Sequence, residues 1–123
     1  MKSLTKAEEQ VMMVLWTLGK GFLKDLMDHM PEPKPHSNTV ATVLKVLMEK
    51  EFVQTELHGR NNLYLPCISK EAYGKKTANQ LVKGYFDDSP SQLLSHFIND
   101  QKISIDELEG LLQQIKSSKN AAR

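Results

Sequence analysis

Residues 35–66 read PHSNTVATVLKVLMEKEFVQTELHGRNNLYLP. Pro35 stops any helix from running through it, because its ring lacks an N–H and pushes the preceding residue towards extended backbone. Ser37 is placed to cap a helix that begins just after it, with Asn38 and Thr39 in the first turn. Val40, Val43, Leu44 and Leu47 then fall at i, i+3, i+4 and i+7, which draws a single apolar stripe. The opposite side carries Asn38, Thr39, Thr42 and Lys45. Three short hydrogen-bonding side chains and a cation are groups that reach base edges and phosphates in a DNA groove.

The helix is followed by two strand-like runs, 52–57 and 62–65, joined by His58-Gly59-Arg60-Asn61. Gly59 supplies the positive φ of a tight hairpin, and Arg60 rides at its tip. A helix with a polar first turn, then a hairpin with a cationic tip, is the outline of a winged helix-turn-helix. It equally suits a helix and hairpin packed in any small α+β domain, and local pattern alone does not choose between them.

Upstream, Thr5 and Glu8 form the two halves of a capping box. Ala7, Val11, Val14, Leu15 and Leu18 give the helix that follows an inward stripe, widened by Met12, Met13 and Trp16. Trp16 reads as a core anchor. Gly19-Lys20-Gly21 ends this helix, and Phe22, Leu23, Leu26, Met27 and Met30 outline a second, shorter one. Pro31-Glu32-Pro33-Lys34-Pro35 is a stiff extended connector that leaves Lys34 placed to meet a phosphate.

Downstream, Ser69 caps a long polar helix, and Ser89-Pro90 opens another that carries Leu93, Leu94, Phe97 and Ile98. Ser104 and Glu107 form a second capping box, ahead of Ile105, Leu108, Leu111, Leu112 and Ile115; the tail from Ser117 should fray. Residues 69–116 hold three short helices with large apolar faces but too little chain for a core of their own. A homodimer completes such a core, through an isologous contact centred on Leu94, Phe97, Leu108, Leu111 and Leu112. The expected organisation is mainly α with a small β-hairpin: a winged helix-turn-helix over 1–68 and a helical dimerisation region over 69–123. Two recognition helices about a twofold axis suit a palindromic operator.

The 123 residues include 16 basic and 15 acidic side chains, and 40% are hydrophobic. Over 1–68 the charges balance, eight against eight, so DNA binding has to rest on the placement of Lys34, Lys45 and Arg60. No apolar run approaches the roughly 20 residues needed to span a bilayer, and no signal peptide opens the sequence, so the expectation is a cytoplasmic chain without membrane insertion. The single Cys67 excludes an internal disulfide and a Cys-pair zinc site. His29, His36, His58 and His96 form no metal-ligand motif, and neither a nucleophile–base constellation nor a cofactor motif stands out. An enzyme is not expected. The rival reading is a winged-helix protein-interaction module without DNA binding.

Several short matches recur in order and at constant spacing. They are Leu4-Thr5-Lys6-Ala7-Glu8 through Val14-Leu15-Trp16, Thr39-Val40 with Thr42-Val43-Leu44, and Leu47-Met48-Glu49-Lys50 with Phe52-Val53. Gly59-Arg60 with Tyr64 and Ile103-Ser104 with Glu107-Leu108 complete the series. In these the chain resembles the BlaI/MecI/CopY (penicillinase repressor) family over nearly its whole length. The resemblance implies a dimeric winged-helix repressor on palindromic promoter sites. Asn38, Thr39, Thr42 and Lys45 would be its recognition-helix contacts and Arg60 its wing contact. Ala41 stands where some relatives carry arginine. In beta-lactam-responsive members a membrane sensor protease triggers cleavage at an Asn-Phe bond, and His96-Phe97 is the matching place here. The cysteine cluster of copper-responsive relatives is absent.

Overall fold

The computed structural model describes residues 3–121, the last three as backbone only. It divides into two compact units, the first ending at Gly74 and the second beginning at Lys75.

The first unit opens with α1 (Lys6–Leu18). The Thr5 N–H donates to Glu8 Oε1 at 2.9 Å and the Glu8 N–H to Thr5 Oγ1 at 3.2 Å, so both halves of the capping box form. The inward face is not centred where the sequence suggests. Ala7 is exposed and Leu18 half-buried, whereas Glu8, Val11, Met12 and Leu15 are enclosed, together with Val14. Glu8 can face inward because Lys50 Nζ lies 2.6 Å from its Oε1. Burial pushes the Glu8 carboxyl up, but Lys50 and the Thr5 N–H and hydroxyl outweigh it and hold it below the usual carboxylate range.

In α2 (Leu23–Asp28) the Phe22 N–H is capped by Asp25 Oδ2 at 2.9 Å, and Leu26 is wholly buried. The Pro-rich connector then leads into α3 (Ser37–Glu49). Its cap is His36, whose Nδ1 accepts the Asn38 N–H at 3.1 Å; Ser37 is the first helical residue and not the cap. Val40, Leu44 and Leu47 are buried against α1 and α2, as their spacing requires.

β1 (Val53–His58) and β2 (Asn61–Pro66) pair antiparallel, from Val53 opposite Pro66 to His58 opposite Asn61. Only two residues close the hairpin. Gly59 has φ +65° and Arg60 keeps negative φ, as in a type II′ turn. The hairpin is fastened to the helices by a bridge: the Gly21 N–H donates to Tyr64 O at 3.1 Å and the Tyr64 N–H to Gly21 O at 2.8 Å. A Cβ at Gly21 would sit 3.3 Å from that of Asp25, so the smallest residue suits this approach. These elements form a winged helix-turn-helix around Phe52, Met12, Leu15, Leu26, Leu44, Leu47 and Val40.

The first turn of α4 (Lys70–Tyr85) belongs to this unit. Tyr73 lies edge-on to Phe52 with centroids 5.5 Å apart, and its hydroxyl accepts the Leu4 N–H at 2.9 Å. Trp16 lies 6.0 Å from Tyr73 and donates Nε1–H to Ile68 O at 2.8 Å. Trp16 is thus a half-buried anchor at the edge of the core.

The second unit holds the rest of α4, then α5 (Pro90–Asn99) and α6 (Ile105–Ala121). Ser69, Ser89 and Ser104 each accept a first-turn N–H through Oγ, and Pro90 takes the first helical position. Among its described residues the one buried apolar side chain is Val82, on the helix that the sequence marks as long and polar. The backbone stays helical to Ala121, past the expected fraying point at Ser117; residues 122 and 123 lie outside the described residues.

Candidate nucleic-acid interface

With its apolar side committed to the core, α3 turns Asn38, Thr39, Thr42 and Lys45 outward, and all four are exposed. Asn38, Thr42 and Lys45 lie at i, i+4 and i+7 and so fall in one line along the helix, with Thr39 beside them. The Thr42 hydroxyl donates to the Asn38 carbonyl at 2.9 Å, which fixes the side chain and leaves its oxygen free to accept. Among the described residues, the Asn38 side-chain amide and the Thr39 hydroxyl have no internal partner. This is a short, polar, ordered edge of the sort that can exchange water for base edges. Glu49 is also exposed, one turn beyond Lys45, and its charge would repel a phosphate. The N-terminal half of α3 is therefore the part suited to a groove. Ala41 is half-buried beside this line.

The two other cations come from different elements of the same unit. Lys34 is exposed on the connector before α3, where its N–H makes only a long 3.4 Å contact to Glu32 Oε2. Arg60 is exposed at the closed end of the wing. A feature that sequence reasoning misses lies beside Arg60: an open cleft of about 440 Å³, walled by Lys24 and Asp25 of α2 and by Arg60, Asn61, Asn62 and Tyr64 of the wing. Nothing in the local sequence around Lys24 signals it. The two walls are joined by the Gly21–Tyr64 bridge and by the Phe22 ring edge-on to that of His58, between segments far apart in the chain.

In the second unit, Leu94, Phe97, Leu111 and Leu112 leave 38–47% of their surface exposed, and Leu108 is half-buried. His96 is exposed on α5, with Nε2 3.2 Å from Asp100 Oδ2 and its ring 6.1 Å from that of Phe86. Among the described residues no group of three or more His, Cys, Asp or Glu is arranged to hold a metal ion. No helix there is long and apolar enough to cross a membrane.

The sequence profile of the Penicillinase repressor family matches residues 4–117. The chain belongs to this family. Penicillinase repressors are DNA-binding transcription regulators with a winged helix, and the chain carries that architecture. It is also similar to an uncharacterised 16.5 kDa protein from the ptsI 3′ region of Latilactobacillus sakei, 26% identical over 119 residues that cover 96% of this chain and 81% of that protein. Among solved structures, a CopR repressor is 33% identical with a TM-score of 0.47, covering 55% of this chain and all of its own. Bordetella bronchiseptica BpsR, whose DNA binding is regulated by 6-hydroxynicotinic acid, is 17% identical with a TM-score of 0.49, covering 97% of this chain and 77% of its own.

Proposed function

We propose that this member of the penicillinase repressor family acts as a homodimer on a palindromic operator, with α3 of each copy in the major groove. Asn38, Thr39 and Thr42 read base edges, while Lys34, Lys45 and Arg60 hold phosphates and supply salt-dependent affinity. The observation that carries this reading is the division of α3: its apolar side is committed to the core, and its outward side is polar and uncommitted. The second copy joins through Leu94, Phe97, Leu108, Leu111 and Leu112 and brings a second recognition helix to the symmetric half-site. Cleavage of the His96-Phe97 bond, set off by a membrane sensor protease in response to a beta-lactam or other cell-envelope signal, would cut α6 away from α5 and release the operator.

A mobility-shift titration with Thr42→Glu tests the groove assignment. The variant is expected to lose operator binding while remaining dimeric; retained binding with an unchanged sequence preference would refute it. The balanced charge of residues 1–68 supports a second reading, a module that binds only protein, and that reading requires no shift of DNA even at low salt. For the release step, mass spectrometry of the repressor from beta-lactam-treated cells should find fragments ending at His96; intact chain alone would rule the step out.

A further inference from the structure

The cleft between α2 and the wing takes no part in groove recognition beyond its share of Arg60. Its two walls are held in register by the paired hydrogen bonds of Gly21 and Tyr64, at 3.1 and 2.8 Å. Lys24 approaches from one wall and Arg60 from the other, and among the described residues neither has an ion-pair partner. Asp25 is the one carboxylate lining the cleft, and its Oδ2 already accepts the Phe22 N–H at 2.9 Å. Asn61 and Asn62, both exposed, add amide donors to the wing wall. Phe22 and Leu23 also line the cleft, but two unpaired cations and two amides around an open trough match a chain of phosphodiesters better than a small effector, which needs an enclosed pocket.

We propose that this cleft seats consecutive backbone phosphates of one strand of the bound DNA, one held by Lys24 and the next by Arg60, with Asn61 or Asn62 donating hydrogen bonds to them. The proposal rests on the DNA-binding reading and extends its footprint from α3 and the wing to α2. It makes Lys24, a residue without sequence-level distinction, a phosphate-binding residue.

The test is the salt dependence of binding to a random-sequence DNA duplex by the full chain and by Lys24→Gln, with Lys6→Gln as a control on α1. A protein that neutralises one phosphate fewer has a slope of log K against log salt that is shallower by about 0.9. Lys24→Gln is expected to flatten it by about that amount, and Lys6→Gln to leave it unchanged. Because both cations hold one strand, Lys24→Gln combined with Arg60→Gln should cost less affinity than the sum of the two single effects. A wild-type slope in Lys24→Gln, or strict additivity in the double variant, overturns the proposal. Failure of the wild type to bind the duplex at low salt would instead refute the DNA-binding reading itself. Calorimetric titration with inorganic phosphate separates the remaining source. Saturable binding that disappears in Lys24→Gln, alongside an unchanged DNA slope, would assign the cleft to a free anion and overturn the DNA assignment.

Discussion

In the first unit Phe52, Met12, Leu15, Leu26, Leu44 and Leu47 are fully enclosed, whereas in the second Leu111, Leu112 and Ile115 keep about half of their surface in water. Ile105 and Tyr85 keep still more, at 67% and 82%. Both units are built from capped amphipathic helices, so the contrast does not come from poorer helix signals. It comes from what each stripe meets. The first unit closes its stripes on one another and on a hairpin. The second has three helices and one buried apolar side chain, Val82, among its described residues. Apolar side chains left open together in this way suit an interaction surface, and in the proposed dimer a second copy fills it.

The largest expected effect breaks the second unit's side of this contrast. Leu111→Asp combined with Leu112→Asp should give a monomer by analytical ultracentrifugation and lower operator affinity on the order of 10⁴-fold, the scale that separates specific from non-specific binding. A dimer of undiminished affinity would mean the open face serves something else. Next comes the first unit's own core, where Phe52→Ala should cost about 4 kcal/mol of unfolding free energy in urea. A loss no larger than that of an exposed substitution would remove the claim that this unit is self-sufficient. Lys50→Met should cost about 3 kcal/mol, since it strands a carboxylate that is only 8% exposed.

The smallest effect is a pH dependence. The Glu8 carboxyl titrates below its ordinary range when folded, so the unfolded chain takes up the proton first on acidification. Its contribution is complete above the ordinary carboxylate pKa and is lost as pH falls through the lowered folded value. Glu8→Gln, which keeps the cap, should therefore flatten the acid side of the stability profile measured by urea titration. An unchanged acid limb would show that the pair does not couple folding to protonation.

Much of this architecture is legible in the residues. The Thr5–Glu8 box, the Ser89-Pro90 start, the Gly59 turn and the buried side of α3 are all set within a few residues of chain. The departures have local causes too. Ser37 is the commoner capping residue, yet the imidazole of His36 takes the role because its Nδ1 can accept the Asn38 N–H. The stripe on α1 is displaced from its expected centre because a charge at Glu8 argues for solvent, and Lys50, 42 positions away, joins the local Thr5 cap in offsetting the cost of burying it. Tyr73 and the cleft are invisible in the sequence for the same reason. Their partners, Leu4 and Phe52 in one case and the Gly21–Tyr64 bridge in the other, meet only in the folded chain. The outward residues of α3 are legible as a surface.

Everything proposed for this repressor depends on two copies each presenting the first turns of α3 to one duplex. Footprinting of the full chain on the promoter adjacent to its own gene tests this most directly. Two protected half-sites related by a twofold axis are expected, their centres about 10 base pairs or a multiple of that apart, with the loss of both in Thr42→Glu. A single asymmetric footprint, or none at low salt, would contradict it.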